Sequence, residues 1–263
     1  MSRLIKTTKK QGFTLVEMSI VIIIIGLLIA GVAAGTSLIE QARLNSVIVD
    51  FRNNQVAYYT FVSKYNAVPG DMPNASQFWP NTCTTDNDPL YCNGDGNGLI
   101  LGFGPGGGEE RLAWKHLSLA GFASQGFALI PDDGFTNFSQ SFGRSKVDGA
   151  YYVYQAAAGI MAATWPDKLD QNLLLIVKGT AGGGPGTIPT LGSLTPSEAF
   201  SIDNKMDDAT SSGGNMIGAN TGLVRSQDDG TSAASPCVNA VNANQYNVSG
   251  TLQTCIFSQI LTN

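Results

Sequence analysis

Residues 10–34 read KQGFTLVEMSIVIIIIGLLIAGVAA, and this stretch decides the fold. From Met18 to Ala34 it carries no charge, and with residues 13–16 added it approaches the roughly 20 apolar residues that a helix needs to cross a bilayer. Residues 1–12 contain four basic residues and no acidic one, and Glu17 lies at the entry of the apolar run. Because positive charge stays on the cytoplasmic side, the stretch predicts a membrane-spanning helix with a cytoplasmic N-terminus.

Two ordinary interpretations of this stretch compete. A secretory signal peptide would have a small-x-small cleavage site directly after a short apolar core, and none is present there. A plain signal anchor leaves the carboxylate of Glu17 unexplained, since a charge costs about 2.5–3.5 kcal/mol near the bilayer centre and less at the edge. A charge kept at this position indicates a function, and an amine created at Phe13 by cleavage would be its nearest partner.

Residues 10–17, followed by the apolar run, resemble the class III signal of type IV prepilins and of type II secretion pseudoprepilins. The resemblance covers about residues 6–35. It implies cleavage after Gly12 by an inner-membrane prepilin peptidase and N-methylation of Phe13. It also implies that Glu17 pairs with the N-terminal amine of a neighbouring subunit during assembly. Such a pair would enforce register, since neither charge is tolerable alone in apolar surroundings.

Beyond the membrane segment, a stripe of side chains continues at three- and four-residue steps. Its members are Leu38, Ala42, Leu44, Ile48, Phe51, Gln55, Tyr58, Val62 and Tyr65. The pattern predicts one helix over about 13–66, ended by Pro69 and Gly70, whose outer half buries this stripe against a head. The predicted divisions are a cleaved leader (1–12), a transmembrane segment (13–35), an amphipathic outer half of the helix (36–68) and a globular head (69–263).

The head is expected to be rich in loops. Thr195 and Glu198 form a capping box with proline at the first helical position, which predicts a helix to about residue 206. A second helix is predicted over 109–120, strands over 150–155 and 172–178, and short strands within the last ~40 residues. The resemblance implies an α+β, pilin-like fold in which the long helix packs on an antiparallel sheet in a disulfide-containing head.

The chain has four cysteines, Cys83, Cys92, Cys237 and Cys255. None belongs to a CxxC pair, so a zinc site is disfavoured and two disulfides are the economical interpretation. Disulfides place the head in the periplasm or outside the cell. Three pairings are open, of which we favour the most local, Cys83–Cys92 with Cys237–Cys255.

The segment around residues 93–98 follows the first half of a calcium loop, with oxygen-bearing side chains at alternate positions and a glycine at the turn. Asn93, Asp95 and Asn97 are the candidate ligands. Glycine stands where the closing glutamate is expected, so the closing carboxylate would come from Glu109 or Glu110 downstream or from Asp86 or Asp88 upstream. Glu109 is the candidate that we name. A polar Gly/Asn turn accounts for the same residues without a metal. Calcium is therefore a candidate cofactor, and the pseudopilins that the chain resembles include calcium-binding members.

Several other functions are disfavoured by the composition and motifs. Without residues 1–12, 11 basic residues remain against 20 acidic ones, so nucleic-acid binding is not expected. Residues 102–107 satisfy GxGxxG, but no series of parallel βαβ units surrounds them. The single histidine, His116, has no Gly-x-Ser-x-Gly elbow to serve and reads as a surface or packing residue. No enzymatic activity is expected.

These observations predict a structural subunit of a type IV pilin-like filament, either a type IV pilus or a type II secretion pseudopilus. The expected partners are the prepilin peptidase, other pilin or pseudopilin subunits and the inner-membrane assembly platform. The protein would sit in the inner membrane with a periplasmic head before entering a filament. The 251 residues that remain after a 12-residue leader favour a minor or tip subunit. The alternative is a membrane-anchored, calcium-dependent binding or adhesion protein that does not polymerise.

Overall fold

The computed structural model describes residues 13–82, 92–101, 108–123, 142–157, 170–178, 191–207, 209–212, 215–219, 221–228, 236–239 and 242–261. The chain divides into two compact units, residues 1–43 and 44–263. Helix α1 (Leu15–Tyr65) contributes residues to both units.

The first unit contains the apolar part of α1. Its large apolar side chains are exposed from Leu15 to Ile39, at 86% and 70% for these two. Within the described ranges, α1 is the one helix long and apolar enough to cross a membrane. The exposed apolar surface fits a membrane anchor, because such a surface is unfavourable in water.

Helix α1 ends at Tyr65, close to the predicted boundary but for a different reason. Asn66 follows with φ of 51°, and its N–H donates to the Val62 carbonyl at 2.8 Å. A left-handed asparagine is a common helix terminus, because its short polar side chain tolerates that conformation. The prediction that Pro69 and Gly70 end the helix was therefore wrong.

The second unit is built on a five-stranded antiparallel sheet with the strand order β1-β2-β3-β7-β6. Its strands are β1 (Gly143–Arg144), β2 (Ala150–Ala156), β3 (Asn172–Lys178), β6 (Val224–Asp228) and β7 (Cys255–Leu261). A separate antiparallel pair is formed by β4 (Thr210–Ser212) and β5 (Asn215–Ile217). The predicted α+β class with an antiparallel sheet is confirmed.

The outer half of α1 packs on this sheet. Phe51 lies edge-on to the rings of Tyr152 on β2 and Phe257 on β7, with centroids 5.3 and 5.4 Å away. The Tyr154 hydroxyl donates to the Asn54 carbonyl at 2.8 Å. Side chains from two strands therefore hold α1 against the core by both aromatic packing and hydrogen bonding.

The buried stripe of α1 differs at its start from the predicted one. Burial begins at Leu44, whereas Leu38 is 67% exposed and Ala42 is also exposed. Val47 and Phe61, which were not predicted, are fully buried. The periodicity of the helix was read correctly, but the point at which a head covers it depends on tertiary contacts that periodicity does not contain.

Three shorter helices complete the described part of the second unit. They are α2 (Ala75–Phe78), α3 (Glu109–Leu119) and α4 (Pro196–Met206). The predicted capping box of α4 is present: the Glu198 N–H donates to Thr195 Oγ1, and the Thr195 N–H donates to Glu198 Oε2. Helix α3 ends one residue before its predicted boundary.

A disulfide joins Cys237 to Cys255, the first residue of β7, with 4.9 Å between their Cα atoms. Cys92 is buried and is also disulfide-bonded. Its predicted partner, Cys83, lies outside the described residues. The Cys237–Cys255 bond is one of the two bonds in the local pairing favoured from the sequence.

Candidate functional site

The start of α1 is held by a capping box. The Thr14 N–H and hydroxyl both donate to Glu17 Oε2 at 2.7 Å, and the Glu17 N–H donates to Thr14 Oγ1 at 3.2 Å. Two backbone donors of the first turn are thereby satisfied, which fixes where the helix begins. Both bonds to the carboxylate use Oε2, so Oε1 is the atom that can meet a further group.

The candidate cleavage site adjoins this cap. Phe13 is 80% exposed, while Gly12 lies outside the described residues. The role of Thr14 was missed from the sequence, although Thr14 and Glu17 fit the same Ser/Thr-x-x-Glu pattern that predicted the cap of α4. Glu17 is therefore placed four residues from the candidate new N-terminus and is oriented by Thr14.

A second candidate site is a group of three carboxylates in the head. Asp71 follows the end of α1, Asp95 lies in a glycine-rich loop (residues 92–101) and Glu109 is the first residue of α3. One carboxylate oxygen from each residue lies within 4.8 Å of the others. Asp71 is buried, Glu109 is half-buried and Asp95 is exposed. Within the described residues, no lysine or arginine forms a salt bridge with any of the three.

The carboxylate of Asp71 organises the glycine-rich loop. Its Oδ1 accepts hydrogen bonds from the backbone N–H groups of Gly96 at 2.6 Å and Asn97 at 3.1 Å. Its Oδ2 accepts one from the N–H of Gly98 at 2.7 Å. Three successive backbone N–H groups donate to this one side chain, and the Gly96 N–H also donates to the backbone carbonyl of Asp71 at 3.1 Å, so the loop is wrapped around Asp71.

The other two carboxylates are tied to the same loop. Glu109 Oε1 accepts from the N–H of Asp95 at 3.0 Å, and Oε2 accepts from the N–H of Leu101 at 2.8 Å. Asp95 Oδ1 and Oδ2 accept from the backbone and the side-chain amide of Asn97, at 3.0 and 2.8 Å. All three acids therefore face backbone and amide donors of one loop.

Two glycines allow the loop to approach Asp71 closely. A Cβ built on Gly94 would lie 2.3 Å from the Cα of Asp71. Gly96 has φ of 79°, a left-handed conformation that most other residues rarely adopt. The glycines that suggested a turn in the sequence are thus required by the approach of the loop to a buried carboxylate.

The electrostatics of the group favour a positive charge between the acids. Burial raises the pKa of the Asp71 carboxyl, against the effect of its backbone hydrogen bonds. Burial, with the charges of Asp71 and Asp95 adding to it, raises the pKa of Glu109 to about 7, although backbone hydrogen bonds oppose the rise. Close carboxylates without a counter-charge either retain protons or bind a cation. Oxygen ligands of this kind suit a hard cation such as Ca²⁺.

The structure brings together only part of the ligand set predicted from the sequence. Asp95 and Glu109 belong to the carboxylate group. Asn93 does not face it, because its Oδ1 accepts from the Ser76 N–H at 2.9 Å and its amide donates to Ser76 Oγ. Asn97 lies beside Asp95, but its Oδ1 accepts from the Leu99 N–H. Asn97 therefore orients the loop, while Asn93 fastens it to α2.

Asp71 was missed from the sequence. It lies 24 residues before Asp95, in a Pro-Gly-Asp segment that reads as a turn. The ligands of a calcium loop lie within 12 residues of one another, so that pattern could not identify Asp71. Only the folded structure places Asp71 beside Asp95 and Glu109.

A family model described as the prokaryotic N-terminal methylation motif matches residues 7–33. The match spans Gly12, Phe13 and Glu17 and the start of the long apolar helix, and it confirms the resemblance to a type IV pilin-like class III signal peptide. It supports a type IV pilin-like protein that is processed by a prepilin peptidase. No curated protein and no solved structure matches the chain.

Proposed function

We propose that the protein is a non-enzymatic structural subunit of a type IV pilin-like filament, cleaved after Gly12 and N-methylated at Phe13. The filament is a type IV pilus or a type II secretion pseudopilus, in which the chain serves as a minor or tip subunit. The head would fold in the periplasm while α1 holds the subunit in the inner membrane. Prepilin peptidase, other subunits and the assembly platform are the partners.

The observation that carries this proposal is the methylation motif at residues 7–33, together with the exposed apolar surface of α1. Removal of the leader would create an amine at Phe13, four residues from the carboxylate of Glu17. In a membrane, that amine on one subunit and Glu17 on the next would neutralise each other. The minor or tip role is proposed because the processed subunit is large, with 251 residues after the predicted cleavage site.

Cleavage is tested with Gly12→Ala in cells that express the cognate peptidase. We expect wild-type protein recovered from cells to begin at a methylated Phe13, and Gly12→Ala to retain Met1 and stay in the inner membrane. Mass spectrometry of the N-terminal peptide distinguishes the two forms. Wild-type protein that still begins at Met1 would contradict the proposal.

The role of Glu17 needs a control for helix capping. Glu17→Val should be cleaved normally yet be incorporated into sheared filaments at least tenfold less, because it removes the carboxylate that meets the amine. Thr14→Ala removes the capping hydroxyl and keeps the carboxylate, so it should be incorporated much better than Glu17→Val. If the two variants were incorporated equally poorly, Glu17 would act only as a helix-capping residue.

We propose as a second function that the head binds calcium through Asp71, Asp95 and Glu109, with Asn97 beside them. The supporting observation is the convergence of three carboxylate oxygens within 4.8 Å in a loop without a salt-bridged cation among the described residues. This is the basis of the alternative role as an anchored, calcium-dependent binding or adhesion protein. That alternative role requires a protein that does not polymerise, so finding the protein in sheared filaments would exclude it.

Calcium binding is tested on chelator-treated, full-length protein in detergent micelles. Calcium at 100 times its Kd would add about 2.7 kcal/mol to the free energy of unfolding and raise the Tm. Asp95→Ala should abolish that rise. Asn93→Ala should retain it, because Asn93 bonds to Ser76 instead. A Tm that does not respond to millimolar calcium would contradict the proposal.

A further inference from the structure

His116 lies on α3, fully buried, between two backbone groups that come from other segments. The N–H of Gly70 donates to its Nδ1 at 2.9 Å. Its Nε2 lies 2.7 Å from the carbonyl oxygen of Cys92. An amide N–H can only donate and a carbonyl can only accept, so the imidazole is neutral, with its proton on Nε2.

Two aromatic side chains also pack beside the ring, and their own centroids are 6.4 Å apart. Phe61 of α1 lies parallel to it, at 7° with centroids 5.9 Å apart, and Trp79 stacks at 28° and 5.9 Å. The imidazole therefore joins α1, the segment at Gly70, the disulfide-bonded Cys92 and α3 at one point. Because Gly70 precedes Asp71 and Cys92 begins the glycine-rich loop, His116 holds both the segment that carries Asp71 and the start of the loop that wraps around it.

We propose that His116 is an acid-sensitive latch, in which a proton added to Nδ1 displaces the Gly70 amide and releases the segments around Gly70 and Cys92 from α3. The inference goes beyond the proposed functions and does not depend on a bound cation. It follows from the tautomer: a protonated ring has two donors, and the one at Nδ1 would point at the N–H of Gly70. A buried donor without an acceptor is unfavourable, because it has given up its hydrogen bond to water without replacing it.

The surroundings keep the latch closed at neutral pH. Burial lowers the pKa of His116 from 6.5 to about 4; the hydrogen bond to the Cys92 carbonyl opposes this shift and the charge of Lys115 adds to it. In the opened segment the imidazole would titrate near its ordinary value. The stability of the closed form is therefore complete above about pH 6.5 and decreases as the pH falls towards 4.

Other charged groups lie on the elements around the imidazole. They are Lys64 on α1, Asp71 beside Gly70, Asp95 in the loop after Cys92, and Glu109, Glu110, Arg111 and Lys115 on α3. Burial raises the pKa values of both Glu109 and Glu110 to about 7. An acid response by itself would therefore not identify His116, and the experiment must observe the imidazole directly.

The chain contains a single histidine, so its imidazole signals in an NMR spectrum need no assignment. We would change the pH of the full-length chain in detergent micelles, with EDTA present throughout. At each pH, NMR would record the chemical shifts of the imidazole nitrogens and the hydrogen-exchange protection of the Gly70 amide. The expected result is an Nε2–H tautomer at pH 7 and a loss of Gly70 protection of about 100-fold between pH 7 and pH 4. An imidazole that takes up its proton near pH 6.5 while Gly70 stays protected would overturn the latch.

His116→Gln supplies the matched variant, because glutamine keeps a donor and an acceptor but does not titrate. Its Gly70 protection should stay constant, within about threefold, over the same pH range. A pH response equal to that of the wild type would assign the acid sensitivity to the carboxylates and overturn the proposal. If His116→Gln does not fold, the wild-type titration decides alone, since proton uptake and loss of Gly70 protection either coincide or do not.

Discussion

Asn172 is a single buried residue on which several segments depend. Its side-chain amide donates to the Tyr58 hydroxyl at 3.1 Å and to the Gly98 carbonyl at 2.9 Å, and its Oδ1 accepts from the Ile100 N–H at 2.8 Å. One side chain thus ties the end of the glycine-rich loop to β3 and to α1. Buried amides with all partners in place hold a unique arrangement, because any alternative leaves polar groups unpaired.

Asn172→Leu should destabilise the head by about 2–4 kcal/mol, because a side chain of similar volume replaces one that makes three hydrogen bonds, including the one from the N–H of the buried Ile100. Urea unfolding followed by circular dichroism measures the change. Asn53→Leu, the same substitution at an exposed position of α1, should change the free energy of unfolding by less than about 0.5 kcal/mol. Similar effects at the two sites would show that the hydrogen bonds of Asn172 contribute little.

The residues that could be predicted from the sequence are those whose role is set by near neighbours. Glu17 stands out because it is a charge beside an apolar run, and the Thr195 cap because its partner is three residues away. His116 binds groups 46 and 24 residues away, and Asp71 binds a loop 25 to 27 residues away. Spacing along the chain does not contain such pairings, so these residues could be found only in the folded structure.

Among the elements, capping boxes begin both α1 and α4. Thr195 fixes α4 through its hydroxyl and through the side chain of Glu198, whose Oε2 lies 2.7 Å from the Thr195 N–H. The equivalent pair in α1 is Thr14 with Glu17, at the membrane entry. A capping box therefore begins both a helix of the head and the helix next to the predicted N-terminus of the processed subunit.

Thr195→Ala should lower the free energy of unfolding of the head by about 1 kcal/mol, because the first turn of α4 loses its acceptor. Thr195→Ser keeps the hydroxyl and should restore most of this loss. Thermal unfolding of the two variants under identical conditions gives the comparison. An alanine variant as stable as the serine variant would show that the cap of α4 does not limit stability.

The strands were predictable to different degrees. β2 and β3 are runs of apolar and aromatic residues, and their predicted bounds agree with the structure to within one residue. β7 lies between β3 and β6 in the sheet. It reads CIFSQIL and all seven residues are buried, so both of its faces are covered. A strand covered on both faces need not alternate, and Ser258 and Gln259 weaken its apolar pattern. Its place in the sheet depends on pairing with residues far along the chain.

At the scale of the whole molecule, the disulfide links β7 to the segment before it. Cys237 and Cys255 are 18 residues apart, and closing a loop of about this size stabilises a fold by about 3 kcal/mol, mainly by restricting the unfolded chain. The double variant Cys237→Ser/Cys255→Ser should lose about that much in urea unfolding. A loss below about 0.5 kcal/mol would indicate that the loop is ordered without the bond.

The boundary between the two units leads to a final prediction. A chain that begins at Gln41 lacks the exposed apolar side chains of residues 15–39 but keeps every buried residue of α1, from Leu44 onward. It should fold cooperatively in buffer without detergent, because the core of the second unit is complete. Far-UV circular dichroism during heating measures the transition.

The matched control is a chain that begins at Asn53, which additionally removes four buried side chains. They are Leu44, Val47, Ile48 and Phe51, each at most 7% exposed. Burying each stabilises a fold by about 1.5–3 kcal/mol, so their sum, about 6–12 kcal/mol, is comparable to the whole stability of a typical domain. This shorter chain should show no cooperative transition. If both chains melt at the same temperature, residues 41–52 of α1 are dispensable to the core, and the buried residues that hold α1 in the head are those from Ala57 onward.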